Sequence, residues 1–193
     1  RRPEQMSRPL SIENENKPFL KMVLSAYEKK LRESPVLTKA CTAAVINALA
    51  SIVSQKYILK SKKLDTRSVI KMGSLGFCGG PLTHYWWGIL DKIPLPFESN
   101  SKDVNNVQRM IIDQLVFGSF MTMFFYAFTS TFDGKPVSET VQIVKENFLP
   151  TLLTGYKIWP IALLINFKYI PKDLQVLFGN VVGFFWSCYL AAK

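Results

Sequence analysis

The sequence predicts an all-α fold, an integral membrane helical bundle of about four to five apolar helices plus an N-terminal amphipathic helix. Five apolar stretches follow one another along the 193-residue chain, each near the roughly 20 residues that a helix needs to span a bilayer. Small residues recur at four-residue spacing in three of them, which lets helix backbones approach closely in lipid. The period-two alternation of a half-buried strand is absent. A soluble all-helical bundle with the same faces is the alternative.

The N-terminal region is polar. Residues 1–18 contain three prolines and several charges without apolar periodicity, so we expect a flexible polar arm, with residues 19–193 as a single helical membrane domain. No cleavable signal peptide is visible in this polar start. Residues 19–33 then place four apolar side chains on one helical face, namely Phe19, Val23, Tyr27 and Leu31. This pattern predicts an amphipathic helix at the membrane interface or against a neighbouring helix, ending or kinking at Ser34-Pro35.

Small residues form a seam in the first, second and fifth apolar stretches. The five stretches cover residues 36–59, 69–90, 110–130, 148–167 and 174–192. The seam residues are Ala40, Ala44 and Ala48 in the first, Gly76 and Gly80 in the second, and Gly179 and Gly183 in the fifth. We expect these positions to be helix contacts. Pro81 lies within the second stretch, and Trp86 and Trp87 near its end are expected to be interfacial anchors, as are Trp186 and Tyr189 in the fifth.

The fourth apolar stretch contains two prolines and is expected to be bent. Pro160 removes a backbone donor and frees a carbonyl one turn earlier, near Tyr156. In a membrane such a break is tolerated only where protein or water satisfies the freed group. Trp159-Pro160 is therefore a candidate hinge or cavity wall.

The basic charge of the chain suits a membrane surface better than a nucleic acid. Lysine and arginine outnumber aspartate and glutamate by 24 to 14, for a net charge of +10. The clearest basic cluster, residues 59–71, lies between two apolar stretches, as a loop at the lipid headgroups would. The predicted partner is the lipid bilayer, and no nucleic acid. The N-terminal region is equally basic, so charge leaves the orientation open.

The sequence gives no support for an enzyme. One histidine without a nearby cysteine gives no nucleophile–base pair, and motifs for nucleotides, zinc or a serine nucleophile are absent. We expect no catalytic residues, no metal and no cofactor. The three cysteines, Cys41, Cys78 and Cys188, are interpreted as buried small hydrophobes in a reducing or lipid setting.

Polar side chains inside the apolar stretches are the candidate functional residues. Such groups are costly in hydrocarbon, so they face a partner or a water path. The candidates are Gln55, His84, Asp113, Gln114, Lys157, Asn166 and Asn180. Asp113 requires a cation, for which Lys157, His84 or Arg109 are available. Two interpretations stay open: these residues join helices by hydrogen bonds, or some of them line an aqueous pore.

A set of short elements in a fixed order resembles a known family over residues 20 to the end. The elements are Gly80-Pro81, His84, Trp86-Trp87, Asp113-Gln114, Pro150-Thr151-Leu152, Trp159-Pro160, Asn166-Phe167, Pro171, Asn180, Trp186 and Tyr189-Leu190. Together they resemble the family of the 22-kilodalton peroxisomal membrane protein and the mitochondrial inner-membrane Mpv protein. The resemblance implies a compact helical protein of the peroxisomal, mitochondrial inner or vacuolar membrane, usually with four spans.

The resemblance also implies a function. The family is associated with channel-like permeation of small solutes and with organelle metabolite balance, without enzymatic activity or cofactor. We therefore expect a multi-pass protein of an internal organelle membrane that forms a small-solute pore. The alternative is a non-conducting subunit that docks other membrane proteins or copies of itself. The glycine seams, which could dock other helices, motivate that alternative, as do four departures from the family pattern: Ala50-Ser51 in place of Gly-Asp, Ser119 for a proline, Leu163 for a glutamine and Gln175 for an arginine.

Overall fold

The computed structural model describes residues 18–97 and 99–192, and these residues form helices without a strand. Eight α-helices follow in order: α1 Pro18–Glu33, α2 Pro35–Val53, α3 Thr66–Leu90, α4 Lys102–Ile112, α5 Ser119–Phe132, α6 Val137–Gly155, α7 Trp159–Tyr169 and α8 Gln175–Ala191. A π-helical turn over Ser54–Ile58 prolongs α2, and another over Asp113–Gly118 joins α4 to α5. A 3-10 turn over Lys172–Leu174 leads into α8. The all-α membrane bundle predicted from the sequence is confirmed.

Three helical segments are long and apolar enough to cross a membrane: Pro35–Ile58, Lys102–Phe132 and Lys172–Ala191. The pair α6 and α7 counts as a fourth span if the two helices are taken as one broken segment. α3 is long enough at 25 residues, but its composition is not apolar enough for it to count as a span by the same standard. It lies antiparallel along α2, so it occupies the same depth of the bundle.

The amphipathic helix predicted over residues 19–33 corresponds to α1. Leu31 is buried, Tyr27 is half-buried, and α1 packs on the start of α2. The Thr38 hydroxyl fixes this corner by donating to the Lys30 carbonyl at 3.0 Å. The polar arm predicted over residues 1–18 lies outside the described residues except for Pro18, as do the side chains of Phe19 and Val23.

Small residues determine how closely α2 and α3 approach. A Cβ atom built on Gly76 would lie 2.5 Å from the Ala43 carbonyl oxygen, and one on Gly80 would lie 3.0 Å from that of Lys39. Both contacts are to backbone, which side-chain rotation cannot relieve. Gly73 lies further along the same line, opposite Ala48. The predicted contact seam between the first two apolar stretches is therefore present.

Polar contacts hold the two ends of the bundle. We call the end that contains the start of α2, the end of α3 and the turn before α8 the Asp91 end; there Asp91 pairs with Lys172 and approaches Arg109 at 3.8 Å. We call the end that contains the start of α3 and the end of α5 the Asp133 end. There the Lys71 ammonium donates to both oxygens of Asp133, at 2.7 and 2.9 Å. These pairs tie α3 to its neighbours at both ends.

The predicted bend in the fourth apolar stretch is present, but the prolines act differently from the expectation. α6 ends at Gly155 and α7 starts at Trp159, with 55° between their axes. Pro160 lies in the first turn of α7, where its missing N–H has no intrahelical partner to lose. The chain thus breaks before Trp159 instead of kinking within one helix. Lys157 lies in the break and is exposed.

The cysteines correct one prediction. Cys41 and Cys78 are exposed and Cys188 is half-buried, where its sulfur receives the Ser54 hydroxyl at 3.6 Å. The expectation of three buried thiols is therefore wrong for Cys41 and Cys78. Lipid is as apolar as a protein interior, so an apolar residue on a spanning helix has no need to face the bundle. Large exposed apolar residues such as Val45 on α2 and Phe185 on α8 follow the same rule.

Candidate functional site

A cavity of about 570 Å³ lies between the helices, and among the described residues its lining comes from α2, α3, α5, α6, α7, α8 and the π-helical turn at Asp113. It extends from Trp87 towards the Asp133 end, where Leu190 and Ala191 of α8 line it. Its polar lining residues are Asn47, Thr83, Asp113, Gln114, Thr122, Tyr126, Thr151, Asn180 and Ser187. Asp113 is the single charged residue among the described residues of the lining. Most of the wall is thus apolar, with hydroxyl and amide groups distributed along it.

Glycines are frequent in the cavity lining. The lining contains Gly76, Gly79, Gly80, Gly118, Gly155, Gly179 and Gly183. A Cβ on Gly179 would lie 3.0 Å from the ring of Trp87, and one on Gly183 would lie 4.0 Å from the ring of Trp159. The α8 glycines were expected to contact another helix backbone, and the structure places them against indole rings instead.

Asp113 is the centre of a buried hydrogen-bond cluster in the wall. Its side chain follows α4 in the π-helical turn, and the residue is only 3% exposed. The Oδ1 atom accepts two hydrogen bonds, from the indole N–H of Trp86 at 2.8 Å and from that of Trp87 at 2.9 Å. Trp86 also stacks on Phe117, with ring centroids 5.3 Å apart. π-helical turns occur frequently at functional sites because they reorient side chains.

This cluster overturns two predictions. Asp113 was expected to pair with Lys157, His84 or Arg109, yet in the part of the chain that the structure describes no ion pair joins it to a cation. Trp87 was expected to be an interfacial anchor with Trp86, yet it is buried, with 9% of its surface exposed. Both indoles point inward because the buried carboxylate offers their N–H groups the acceptor that lipid lacks.

His84 contacts Lys39 and not Asp113. The Lys39 ammonium lies 3.1 Å from His84 Nδ1, and Lys39 is 5% exposed. Both residues line a second pocket of about 170 Å³ near the Asp91 end, together with Asp91 and Lys172. α3 therefore presents His84 to α2 and its two tryptophans to the side of α4.

Gln55 holds a loop rather than the cavity. It lies buried in the π-helical turn after α2, where its amide nitrogen donates to the Ser51 hydroxyl at 3.1 Å and to the Asp65 carbonyl at 3.3 Å. Its carbonyl oxygen accepts the Asp65 backbone N–H at 2.7 Å. These bonds close the basic loop onto the end of α2. The hydrogen-bonding interpretation applies to this residue.

Asn166 and Asn180 have different surroundings. Asn166 is 1% exposed and joins α7 to α8. Its side-chain Nδ2 donates to the Gln175 backbone carbonyl at 3.4 Å, and Gln175 Nε2 donates to the Asn166 backbone carbonyl at 3.4 Å. Asn180 lines the cavity, and its buried amide nitrogen has no hydrogen-bond partner among the described residues. Asn180 therefore has a free donor at the cavity wall.

The remaining predicted residues divide between the cavity and its exterior. Gln114, Trp159 and Trp186 line the cavity, whereas Lys157, Pro81 and Pro160 are absent from its lining. Tyr189 stacks on Trp186 at 5.7 Å and is 41% exposed. Of the departures from the family pattern, Leu163 lines the cavity and Gln175 lines the smaller pocket.

Sequence reasoning missed the hydroxyl groups of the wall, which are Thr83, Thr122, Tyr126, Thr151 and Ser187. Tyr126 and Thr151 are joined across α5 and α6 at 2.6 Å. A signal was available, since Gly118, Thr122 and Tyr126 recur every four residues and so share one helical face. This face, with Thr122 and Tyr126, is the polar face of the third apolar stretch.

Comparison with known proteins gives consistent relatives. The sequence model of the Mpv17 / PMP22 family matches residues 130–191. PXMP2/4 family protein 3 of Dictyostelium discoideum is 40% identical, covering 96% of this chain and 94% of its own length. Peroxisomal membrane protein 2 of Bos taurus is 30% identical over 91% of each chain. Peroxisomal membrane protein PMP22 of Arabidopsis thaliana is 28% identical, covering 91% of this chain and 92% of its own length.

No solved structure matches the chain. The full-length relatives and the apolar helices together identify an organelle membrane protein. The resemblance inferred from the ordered motifs is thereby confirmed. The chain belongs to the Mpv17 / PMP22 family of integral membrane proteins.

Proposed function

We propose that the protein is a channel-like pore for small polar solutes and that the central cavity is the path they take. The observation that supports this most is the cavity itself, about 570 Å³ in volume with polar groups contributed by five helices and the π-helical turn at Asp113. Its volume lies in the range of small-molecule sites, and a mainly apolar lining with a few polar groups is typical of such a site. Polar groups inside a membrane bundle face a hydrogen-bond partner or a water path. In an aqueous path, water is the hydrogen-bond partner.

The lining determines the class of solute. Hydroxyl and amide groups, which both donate and accept hydrogen bonds, replace part of a solute's hydration as it enters. Asn180 has an unused donor there. Asp113 adds one negative charge, and two indole N–H groups already occupy one of its oxygens. The path therefore favours small, uncharged or cationic polar solutes over anions, and the role is transport rather than catalysis.

The membrane we propose is that of the peroxisome. The relatives from Bos taurus and Arabidopsis thaliana are named as peroxisomal membrane proteins and align with nearly the whole chain. A pore there would affect the balance of small metabolites between the peroxisome and its surroundings. The mitochondrial and vacuolar locations expected as alternatives have no corresponding support among these relatives.

A non-conducting subunit is the less favoured function. That hypothesis depended in part on the loss of polar residues from a pore, but Ala50, Ser51 and Ser119 do not line the cavity. It also depended on the glycine seams, of which the α3 seam is occupied by α2 of the same chain. Leu163 does line the cavity, where it stands in place of the glutamine of the family pattern. Nine polar side chains remain in the described lining. The departures therefore leave the polar wall largely intact.

Replacing Asp113 with asparagine is expected to lower the preference for cations over anions by about three- to tenfold without loss of the fold, because fixed charge controls the ion concentration in a pore. Asparagine keeps an oxygen that can accept both indole N–H groups. Planar-bilayer recording of the purified protein in a salt gradient measures the reversal potential. Asp103→Asn, at the exposed Lys168 pair, is the control and should leave selectivity unchanged.

Two results would contradict the proposal at different levels. Absence of conductance in the wild-type protein would reject the pore. Conductance with the same selectivity in wild type and Asp113→Asn would remove Asp113 from the path.

A further inference from the structure

The smaller pocket and the central cavity share a wall. The pocket holds about 170 Å³ at the Asp91 end, and its lining includes Lys39, His84, Asp91, Lys172 and Asp173. Trp87 and Val176 line this pocket, and the same two residues line the central cavity. The two chambers therefore adjoin at Trp87 and Val176, which belong to the buried core cluster with Leu90 and Leu163.

Three contacts hold the indole of Trp87 across this boundary. Its N–H donates to Asp113 Oδ1 at 2.9 Å, and its ring meets the edge of Phe167 with centroids 6.1 Å apart. On the third side is Gly179, where a Cβ atom would lie 3.0 Å from the Trp87 ring. A side chain at position 179 would displace the ring, so α8 leaves room for the indole in this orientation.

The two chambers have different electrostatic character. The pocket has charged residues of both signs around it, with Asp91 paired to Lys172 and the Lys39 ammonium bonded to His84. Among the described residues that line the central cavity, Asp113 is the one charged residue. Charged groups at the mouth of a pore attract polar solutes. An interior with few charges then selects among the solutes that enter.

We propose that the Lys39–His84 pocket is the entrance chamber for small polar solutes and that Trp87 limits the size of those that pass to the central cavity. This inference rests on the proposed pore function. On this proposal the two chambers lie in series from the Asp91 end to the Asp133 end, and the Trp87 indole is the larger of the two side chains that line both. Solutes that are narrow enough to pass the edge of the Trp87 ring enter the central cavity. Larger solutes stop in the entrance chamber.

Trp87→Ala tests the size limit in proteoliposomes loaded with a series of uncharged polyols and sugars of increasing size. We expect uptake of the largest solutes to rise about tenfold or more relative to the smallest, since the width of the narrowest point sets the limit. Phe77→Ala is the matched control, because Phe77 is an exposed aromatic residue on the same helix that lines neither the pocket nor the cavity. It should change the ratio less than about twofold. Should Trp87→Ala fail to fold, Trp87→Leu keeps apolar bulk and should give a smaller increase.

Gly88→Cys tests the entrance chamber separately. Gly88 lines the pocket, and a Cβ atom there would meet nothing within 4 Å. In a background where Cys41, Cys78 and Cys188 are serine, attachment of a bulky maleimide at position 88 should reduce uptake at least about fivefold, because the added group fills the chamber. The matched control restores Cys78, which lines neither chamber and whose modification should leave uptake unchanged.

The outcomes separate this inference from the proposed function. If wild-type protein takes up solutes but Trp87→Ala leaves the size limit unchanged, Trp87 is not the limiting residue, and the pore proposal stands. If Gly88→Cys modification leaves uptake unchanged while the wild type conducts, the pocket is not on the path. Absence of any protein-dependent uptake would reject the pore and this inference together.

Discussion

Gly76→Ala is expected to destabilise the protein by about 3 kcal/mol, the upper part of the range for overpacking a tight contact. The new methyl group would lie 2.5 Å from the Ala43 carbonyl oxygen and 2.8 Å from its carbon. These are backbone atoms of α2, so the two helices have to move apart. Separation would weaken the contact between α2 and α3 and with it the wall of the cavity, which Gly76 also lines.

Thermal unfolding in a mild detergent, followed by the loss of the monodisperse protein on size exclusion, measures this effect. Gly88→Ala is the matched control on the same helix, because its methyl group would meet nothing within 4 Å. An exposed glycine in a helix interior is less stable than alanine by roughly 0.5–1 kcal/mol, so Gly88→Ala should be neutral or slightly stabilising. Equal stability of the two variants would contradict the close α2–α3 contact.

Asp113→Ala is expected to be less stable than Asp113→Asn by about 2–4 kcal/mol. Alanine would leave two buried indole N–H groups without an acceptor, and each such group costs about 1–3 kcal/mol. Asparagine keeps the acceptor and removes the buried charge, whose desolvation is itself costly. The difference between the two variants therefore reports the hydrogen bonds of Trp86 and Trp87 and not the charge.

The same detergent unfolding assay measures this difference, and tryptophan fluorescence gives a second readout. The emission of the indoles should change in Asp113→Ala and stay near the wild type in Asp113→Asn. Identical unfolding of the two variants would mean that the carboxylate does not hold the indoles, and the boundary at Trp87 would lose its main support.

Spacing along the chain predicted the helix contacts well where small residues meet backbone. Ala40, Ala44 and Ala48 follow one face of α2, Gly76 and Gly80 follow one face of α3, and the two faces meet. Spacing does not predict the contact where a small residue makes room for a large side chain from another helix. Gly179 and Gly183 have the same spacing but accommodate tryptophan rings from other helices, which only the packed structure reveals.

The partner of a buried polar group was harder to predict. The negative charge of Asp113 predicted a cation beside it. In the structure two indole N–H groups from α3 donate to it instead. The sequence places His84 and Trp87 on one helix but does not fix which neighbour each one faces. That choice depends on the rotation of α3 between α2 and α4, and the glycine seam sets it by fixing the side that meets α2.

The cavity itself was only partly foreseen. Asp113, Gln114 and Asn180 were named as pore candidates and do line it, while Gln55 and Asn166 join helices outside it. Uncharged hydroxyl groups were missed, because threonine and tyrosine within an apolar stretch can satisfy themselves on their own helix. Thr122 does so, donating to the Gly118 carbonyl at 2.8 Å, and still faces the cavity.

If solutes cross through the cavity, a bulky group attached inside it should stop transport. Ser187 lines the cavity, so Ser187→Cys in the serine background at Cys41, Cys78 and Cys188 places one thiol in the proposed path. Uptake of a small uncharged polyol into proteoliposomes is measured before and after reaction with membrane-permeant N-phenylmaleimide, with the protein that retains only Cys78 as the control. The account predicts that modification lowers uptake through Ser187→Cys to the protein-free rate and leaves the control unchanged. Unchanged uptake after complete modification of Ser187→Cys would contradict it.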